Sequence, residues 1–295
     1  MNTNDKRRHL RAILAGNVCV HPATVQDPLS ARIAELAGYD LAVLPGSLAS
    51  AAVLGVPDLI LLTLTEFAEQ ARRTTRYTDL ALIADADHGY GNALNVQRTV
   101  EELEAAGVAG LTLEDTLLPA PFGDAEPMVS IAEMQSRLRA AVAARIDPDL
   151  VIVARTNALN VSTVEDAVER LTAYATTGVD AVMIVGVKRI EDVETVGRAV
   201  ALPMIVGNVP ASDAALNDLS RLAANRARIA YQNQPAFLAA VQAQYDVMRH
   251  LHDGGDAKAL PAPLAPGDLV DRVLRRADFD AKQRDYLAGG ATTRT

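Results

Sequence analysis

A closed (β/α)8 barrel carrying a C-terminal helical extension is the fold this sequence predicts, on three observations. Eight short apolar runs recur along the 295 residues. They are apolar on both faces, as strands of an all-parallel sheet are when helices cover both sides. An amphipathic segment follows each run, which is the alternation of an α/β fold. No long spacer interrupts the series, and the length suits one barrel of ordinary size. An open doubly wound sheet is the structural alternative, and eight uninterrupted units favour closure over it.

The runs fall at residues 18–21, 41–44, 81–84, 110–113, 150–154, 181–185, 204–206 and 228–231. Helical patterns fill the gaps at 29–36, 65–77, 94–106, 131–145, 164–177, 190–200 and 213–222, and 235–250 follows the last run. Asp27 before Pro28 reads as an N-cap with proline at the first helical position. Thr63 with Glu66 three residues on reads as a capping box. Gly38, Gly107 and Gly178 stand where helices should end. The barrel domain is expected over residues 1–253. Proline and glycine between 254 and 267 close it. A short helix around 268–276 and a polar tail then form an extension, 254–295, expected to pack on the barrel or on a neighbouring subunit.

Composition narrows the function. Apolar residues make up 49% of the chain, aromatics only 4%, and tryptophan is absent, so Ala, Leu, Val and Ile must build the core. The net charge is −9, and without a basic stripe a nucleic-acid partner is not expected. An anionic substrate would then need local positive potential from a metal, an arginine or a helix N-terminus. Cys19 is the only cysteine, which rules out an intramolecular disulfide and suits a reducing compartment. Residues 1–11 are too charged for a signal peptide, and no run is long enough to span a bilayer. A cytoplasmic protein without membrane contact is expected.

Barrel chemistry collects at the C-terminal ends of strands. The third run ends in Asp85-Ala86-Asp87-His88-Gly89-Tyr90-Gly91-Asn92. Two carboxylates two apart on an extended chain point to one side, and such a pair calls for a cation or a proton. A hard divalent ion such as magnesium fits, held by one or two carboxylates plus water; the alternative is a pair of solvated loop carboxylates. The fourth run ends in Leu113-Glu114-Asp115, where Glu114 could orient metal-bound water and Asp115 could do so or cap a helix. The fifth ends in Ala154-Arg155-Thr156-Asn157. Arg155 could hold a carboxylate bidentately or form a structural ion pair with those acids. The second ends in Leu44-Pro45-Gly46-Ser47, a turn able to offer N–H groups and a hydroxyl to an anion. Asp58 would pass as a surface residue if taken alone. His21 could face the site or be structural, His88 shapes the turn, and Cys19 reads as an inert buried thiol. There is neither a dinucleotide fingerprint nor a P-loop.

In that order, these residues make the chain resemble the isocitrate lyase and phosphoenolpyruvate mutase superfamily over roughly residues 21–248. The likeness rests on the Pro-Gly-Ser turn at 45–47, Asp58, the Asp85–Asn92 run, Leu113-Glu114-Asp115 and Ala154-Arg155-Thr156-Asn157. It implies a barrel enzyme that acts on a small 2-keto acid and depends on magnesium, with manganese as a substitute. It also implies a homotetramer, a dimer of dimers, exchanging its last barrel helix between subunits. Carried over by position, Asp87 resembles the direct metal ligand, while Asp58, Asp85 and Glu114 act through water. Ser47, with Gly46, and Arg155 resemble the holders of the substrate carboxylate.

Departures from the pattern sort the branches. Lyases of the superfamily carry a Lys-x-Cys-Gly-His type loop after the fourth strand. Here Asp115-Thr116-Leu117-Leu118-Pro119-Ala120-Pro121-Phe122-Gly123 has no Cys, His or Lys. The mutase-type His at the end of the sixth strand is replaced by Val185-Gly186. Both losses resemble the oxaloacetate decarboxylase branch. That branch implies a His in the loop after the eighth strand; this chain has Gln234, which can donate a hydrogen bond to substrate but cannot carry positive charge. The expectation is decarboxylation of oxaloacetate to pyruvate and carbon dioxide. The alternatives are cleavage of a 2-hydroxy di- or tricarboxylate of the methylisocitrate or dimethylmalate kind, phosphonate chemistry, and non-catalytic binding of a 2-keto acid.

Overall fold

The computed structural model describes residues 1–120 and 127–287. Its strands are β1 (Ala23–Thr24), β2 (Leu41–Leu44), β3 (Ala81–Asp85), β4 (Gly110–Glu114), β5 (Val151–Thr156), β6 (Ala181–Ile184), β7 (Met204–Val209) and β8 (Ala227–Gln232). All pair in parallel and in sequence order. Closure comes from Val20, whose N–H donates to the Arg228 carbonyl at 3.0 Å and whose carbonyl accepts from the Ala230 N–H at 3.0 Å. The expected barrel is present.

The helices are α1 (Thr3–Ala15), α2 (Pro28–Leu36), α3 (Gly46–Leu54), α4 (Leu64–Arg76), α5 (Ala93–Ala105), α6 (Ile131–Ala144), α7 (Ala158–Val161), α8 (Val164–Ala175), α9 (Ile190–Ala199), α10 (Leu219–Ala224), α11 (Pro235–His252), α12 (Gly267–Val273) and α13 (Arg276–Leu287). Asp27 caps α2 through the Ser30 N–H, and Thr63 and Glu66 close a capping box on α4. Gly38, Gly107 and Gly178 take positive φ after their helices.

Strand parity divides the apolar residues into two cores. One, including Leu44, Leu82, Leu111 and Ile152, lies between sheet and helices. The other, including Val43, Ile83, Val153 and Ile229, fills the barrel interior. Leu10 and Leu14 of α1 belong to this interior set, so α1 plugs the N-terminal end of the barrel. Arg7 fixes it, donating to the Val108 and Glu104 carbonyls and pairing with Asp147 at 2.6 Å.

The structure corrects three expectations. The first strand is not continuous over 18–21: Val20 pairs with β8, and β1 pairs with β2 only from Ala23. Pro22 lies between them and has no N–H to give to a ladder. The helix expected at 213–222 is confined to α10, because Asp213 caps a turn through the Ala215 and Leu216 N–H groups and the chain re-enters a helix only at the Asp218 cap. The tail past 276 is helical through Leu287, while the polar stretch from 288 on lies outside the described residues. Among the described residues no helix is long and apolar enough to cross a membrane.

Candidate active site

Parity sends Asp85, Glu114, Arg155 and Tyr231 into the barrel interior at its C-terminal end, above the apolar layer of Ile83, Val153 and Ile229. Arg155 spans two strands. Its Nη1 lies 2.8 Å from Asp85 Oδ2 and its Nη2 2.8 Å from Glu114 Oε2. Its buried Nε has no partner. The ion pairs weighed against a substrate role are therefore present, and one nitrogen of the guanidinium is left without a partner. Burial opposes the guanidinium charge, but Asp85 and Glu114 outweigh it and hold the group charged well beyond its ordinary range. Thr112 Oγ1 donates to the other Asp85 oxygen at 3.0 Å.

Asp87 is reached by a different backbone from the one its spacing suggested. β3 stops at Asp85, and Asp87 takes φ 47. Its N–H lies 3.3 Å from Asp85 Oδ1, and its carbonyl accepts from the Glu114 N–H at 2.8 Å. The turn, not strand alternation, brings the two carboxylates to one mouth. Gly89 takes φ 80 in the same turn, and a Cβ there would lie 2.4 Å from Val96 Cγ2, so only glycine lets the turn pack on α5. The buried His88 has its carbonyl 3.4 Å from Arg137 Nη1. Burial, with Arg137 nearby, pushes its imidazole down to about 4, so it is neutral.

The Pro-Gly-Ser turn becomes the first turn of α3. Pro45 is the N-cap and offers no side-chain cap, so the leading N–H groups of α3 lack intrahelical partners. Gly46 approaches Asp87 so closely that a Cβ would stand 2.9 Å from Asp87 Oδ1. Ser47 Oγ accepts a hydrogen bond from Gln234 Nε2 at 2.7 Å, joining the β8–α11 loop to this turn. Asp58 lies between α3 and α4, with its backbone at the surface and its carboxyl close enough to the mouth for its charge to act on Asp87 and Glu114.

The electrostatics converge on one deficit. Burial raises the Asp87 carboxyl well above the usual range, and Asp85, Glu114 and Asp58 push it further. Burial also raises Glu114, with Arg155 opposing, and raises Asp58, which Asp85 pushes in the same direction. The donors are all carboxylate oxygens, the chemistry of a hard divalent cation. Among the described residues no three acidic, His or Cys side chains converge on one point. A magnesium-sized ion, which takes one or two carboxylates and keeps several waters, fits these donors without a cage.

Other candidates fall away. Asp115 faces outward and is fully buried, accepting from Thr156 Oγ1 at 2.7 Å, the Asn157 N–H at 3.0 Å and Tyr174 Oη at 2.9 Å. His21 Nδ1 meets the Ala230 carbonyl at 2.5 Å; a carbonyl only accepts, so that nitrogen carries the proton and the residue is structural. Cys19 is buried at the opposite end of the barrel, and its thiol is pushed up to about 12 by desolvation. Part of the loop compared with the lyases, Pro121 to Gly123, lies outside the described residues. Tyr231 and Thr112 were not anticipated. Their signal was parity, two residues beyond Ile229 and two before Glu114.

Known proteins are similar to this chain in sequence and in fold. An oxaloacetate decarboxylase of Rhodopseudomonas palustris is 48% identical over 290 residues, covering 98% of this chain and 99% of the relative. One of Bradyrhizobium diazoefficiens is 47% identical over 288 residues, covering 97% and 99%. The crystal structure of a phosphonopyruvate hydrolase in complex with oxalate and Mg++ superposes with a TM-score of 0.85 at 30% identity, covering 97% of this chain and 100% of that one. An oxaloacetate acetylhydrolase in complex with its product oxalate gives 0.83 at 29%, covering 97% and 99%. The phosphoenolpyruvate phosphomutase family itself matches residues 10–250. With an acidic cluster, an arginine fork and a helix N-terminus gathered at one barrel mouth, the chain belongs to that family, within the isocitrate lyase and phosphoenolpyruvate mutase superfamily.

Proposed function

We propose that the protein is a carboxy-lyase that converts oxaloacetate to pyruvate and carbon dioxide, using magnesium, with manganese as a substitute. The observation that carries this is full-length similarity to several oxaloacetate decarboxylases at 44–48% identity. The site chemistry supports it. Asp87 would hold the ion, with Asp58, Asp85 and Glu114 acting through water. When bound, the ion supplies Lewis-acid polarisation of the 2-keto oxygen.

The chain's own residues do the rest. The α3 N-terminus at Gly46 and Ser47 binds the carboxylate next to the keto group with N–H and hydroxyl donors. Arg155 holds Asp85 and Glu114 in place, and its buried Nε has no other partner. Carbon–carbon cleavage releases carbon dioxide and leaves its electron pair on the adjacent carbon, delocalised toward the keto oxygen. Fixed donors that meet this charge lower the barrier without reorganising. Water then protonates the carbon, so no protein base is required.

Cleavage of 2-hydroxy acids is the reading weighed against it, since a 2,3-dimethylmalate lyase is among the similar structures at 28% identity. Cys19 cannot provide acid/base chemistry at a mouth on the far side of the barrel. A substrate panel with magnesium separates the two. Pyruvate from oxaloacetate supports decarboxylation, and glyoxylate or pyruvate from hydroxy acids alone would replace it.

A homotetramer, arranged as a dimer of dimers exchanging α11, goes with this reading. α11 buries none of its residues, and Leu238, Val241, Tyr245 and Met248 expose one apolar stripe. A groove of about 430 Å³ lies beside α2, lined by His21, Thr24, Ile33, Tyr39 and Phe237.

A further inference from the structure

We propose that Gln234 is a positioning residue that acts through Ser47 and does not itself hold the substrate. The inference rests on the reading of Ser47 as a carboxylate holder. Gln234 Nε2 donates to Ser47 Oγ at 2.7 Å across 187 residues of sequence. A serine hydroxyl has one proton and two lone pairs. With a lone pair occupied by the amide, the hydroxyl proton is free to turn toward an anion at the α3 N-terminus, where Ser47 is the second helical residue. Hydrogen bonds in series polarise one another, so the serine becomes a better donor than it would be alone.

The segment bearing Gln234 is fixed on both sides. Gln232 Nε2 donates to Asn217 Oδ1 at 2.8 Å, and Pro235 opens α11. Because Gln234 directs an amide N–H to Ser47 and carries no charge, the positive potential of the site comes from Arg155, the helix terminus and an ion when one is bound. This chain would then differ from a relative with His at 234 in how its serine is oriented, and would lack a second cation over the substrate.

The test is a double-mutant cycle read by calorimetric titration of the magnesium-loaded protein with oxalate, alongside turnover. Gln234→Ala should weaken oxalate binding about tenfold, the scale of one oriented hydrogen bond to a charged group. Ser47→Ala should weaken it at least as much, and the double variant should match Ser47→Ala within about twofold. Gln234→Asn should behave as Gln234→Ala, and it takes the place of that variant if circular dichroism shows the alanine form unfolded. Gln234→Glu, which can only accept, should capture the serine proton and bind oxalate more weakly still. Losses that multiply across the cycle, or an unchanged affinity in Gln234→Ala, would overturn the proposal. Wild-type protein that binds oxalate without turning over oxaloacetate removes the decarboxylase reading alone and leaves the cycle readable. Wild-type protein that does not bind oxalate overturns the reading of Ser47 as a carboxylate holder and this proposal with it, while turnover of oxaloacetate alone decides the decarboxylase reading.

Discussion

Asp87 is the proposed holder of the metal ion, and its backbone explains why it stays in place. The N–H bonded to Asp85 and the carbonyl bonded to the Glu114 N–H tie it to both neighbouring acids. Asp87→Ala should keep the fold and lower metal-dependent turnover by about a thousandfold or more, the scale of several kcal/mol of Lewis-acid stabilisation; steady-state kinetics with circular dichroism would check it. Arg155→Lys should lower kcat/KM by about a hundredfold, because an ammonium cannot bridge Asp85 and Glu114 with one rigid fork. Retained kcat/KM would make the fork dispensable. The sequence spacing correctly grouped Asp85 with Asp87 but gave the wrong local geometry, since a positive φ at an aspartate follows from the Gly-rich turn and not from strand alternation. Tyr231 stayed hidden for the opposite reason: an aromatic ending an apolar run reads as core until strand register shows that it faces the same cavity as Arg155.

Elements differ in how plainly they were written. β2 through β8 were legible because each run is apolar on both faces and bounded by turn residues, and β4 and β5 carry Glu114 and Arg155 at the ends where they were expected. α3 was not legible, since Gly46–Leu54 is small and apolar on every side and has no helical stripe. α1 was read only as a charged terminus, because its apolar residues gather in its last turns, where they enter the barrel. Leu10→Ala should cost about 3 kcal/mol by leaving a cavity at the plugged end, seen as a lower Tm with little change in kcat. Asp115 ties β4 to β5 and α8 from outside the barrel, just behind the Glu114–Arg155 pair. Asp115→Asn should destabilise by about 3 kcal/mol, since it replaces one acceptor by a donor among buried donors, and denaturant melts would measure it.

At the scale of the molecule, the alternation of runs and helices was enough to specify the barrel, because closure needs only eight units and short connections. What a single chain could not specify is what covers α11. Its exposed stripe is proposed to be covered by assembly, and light scattering should then give the mass of four chains; a stable monomer would remove the exchange of α11. The acidic cluster, arginine fork and helix terminus all lie at one end of this barrel, and with a bound divalent ion they are proposed to break one carbon–carbon bond in oxaloacetate. The most direct test is pyruvate formation from oxaloacetate by the purified protein with magnesium, set against magnesium alone and against the protein with chelator. Saturable turnover well above the metal-only rate and lost on chelation is the predicted result, and a rate no greater than that of the metal alone would contradict it.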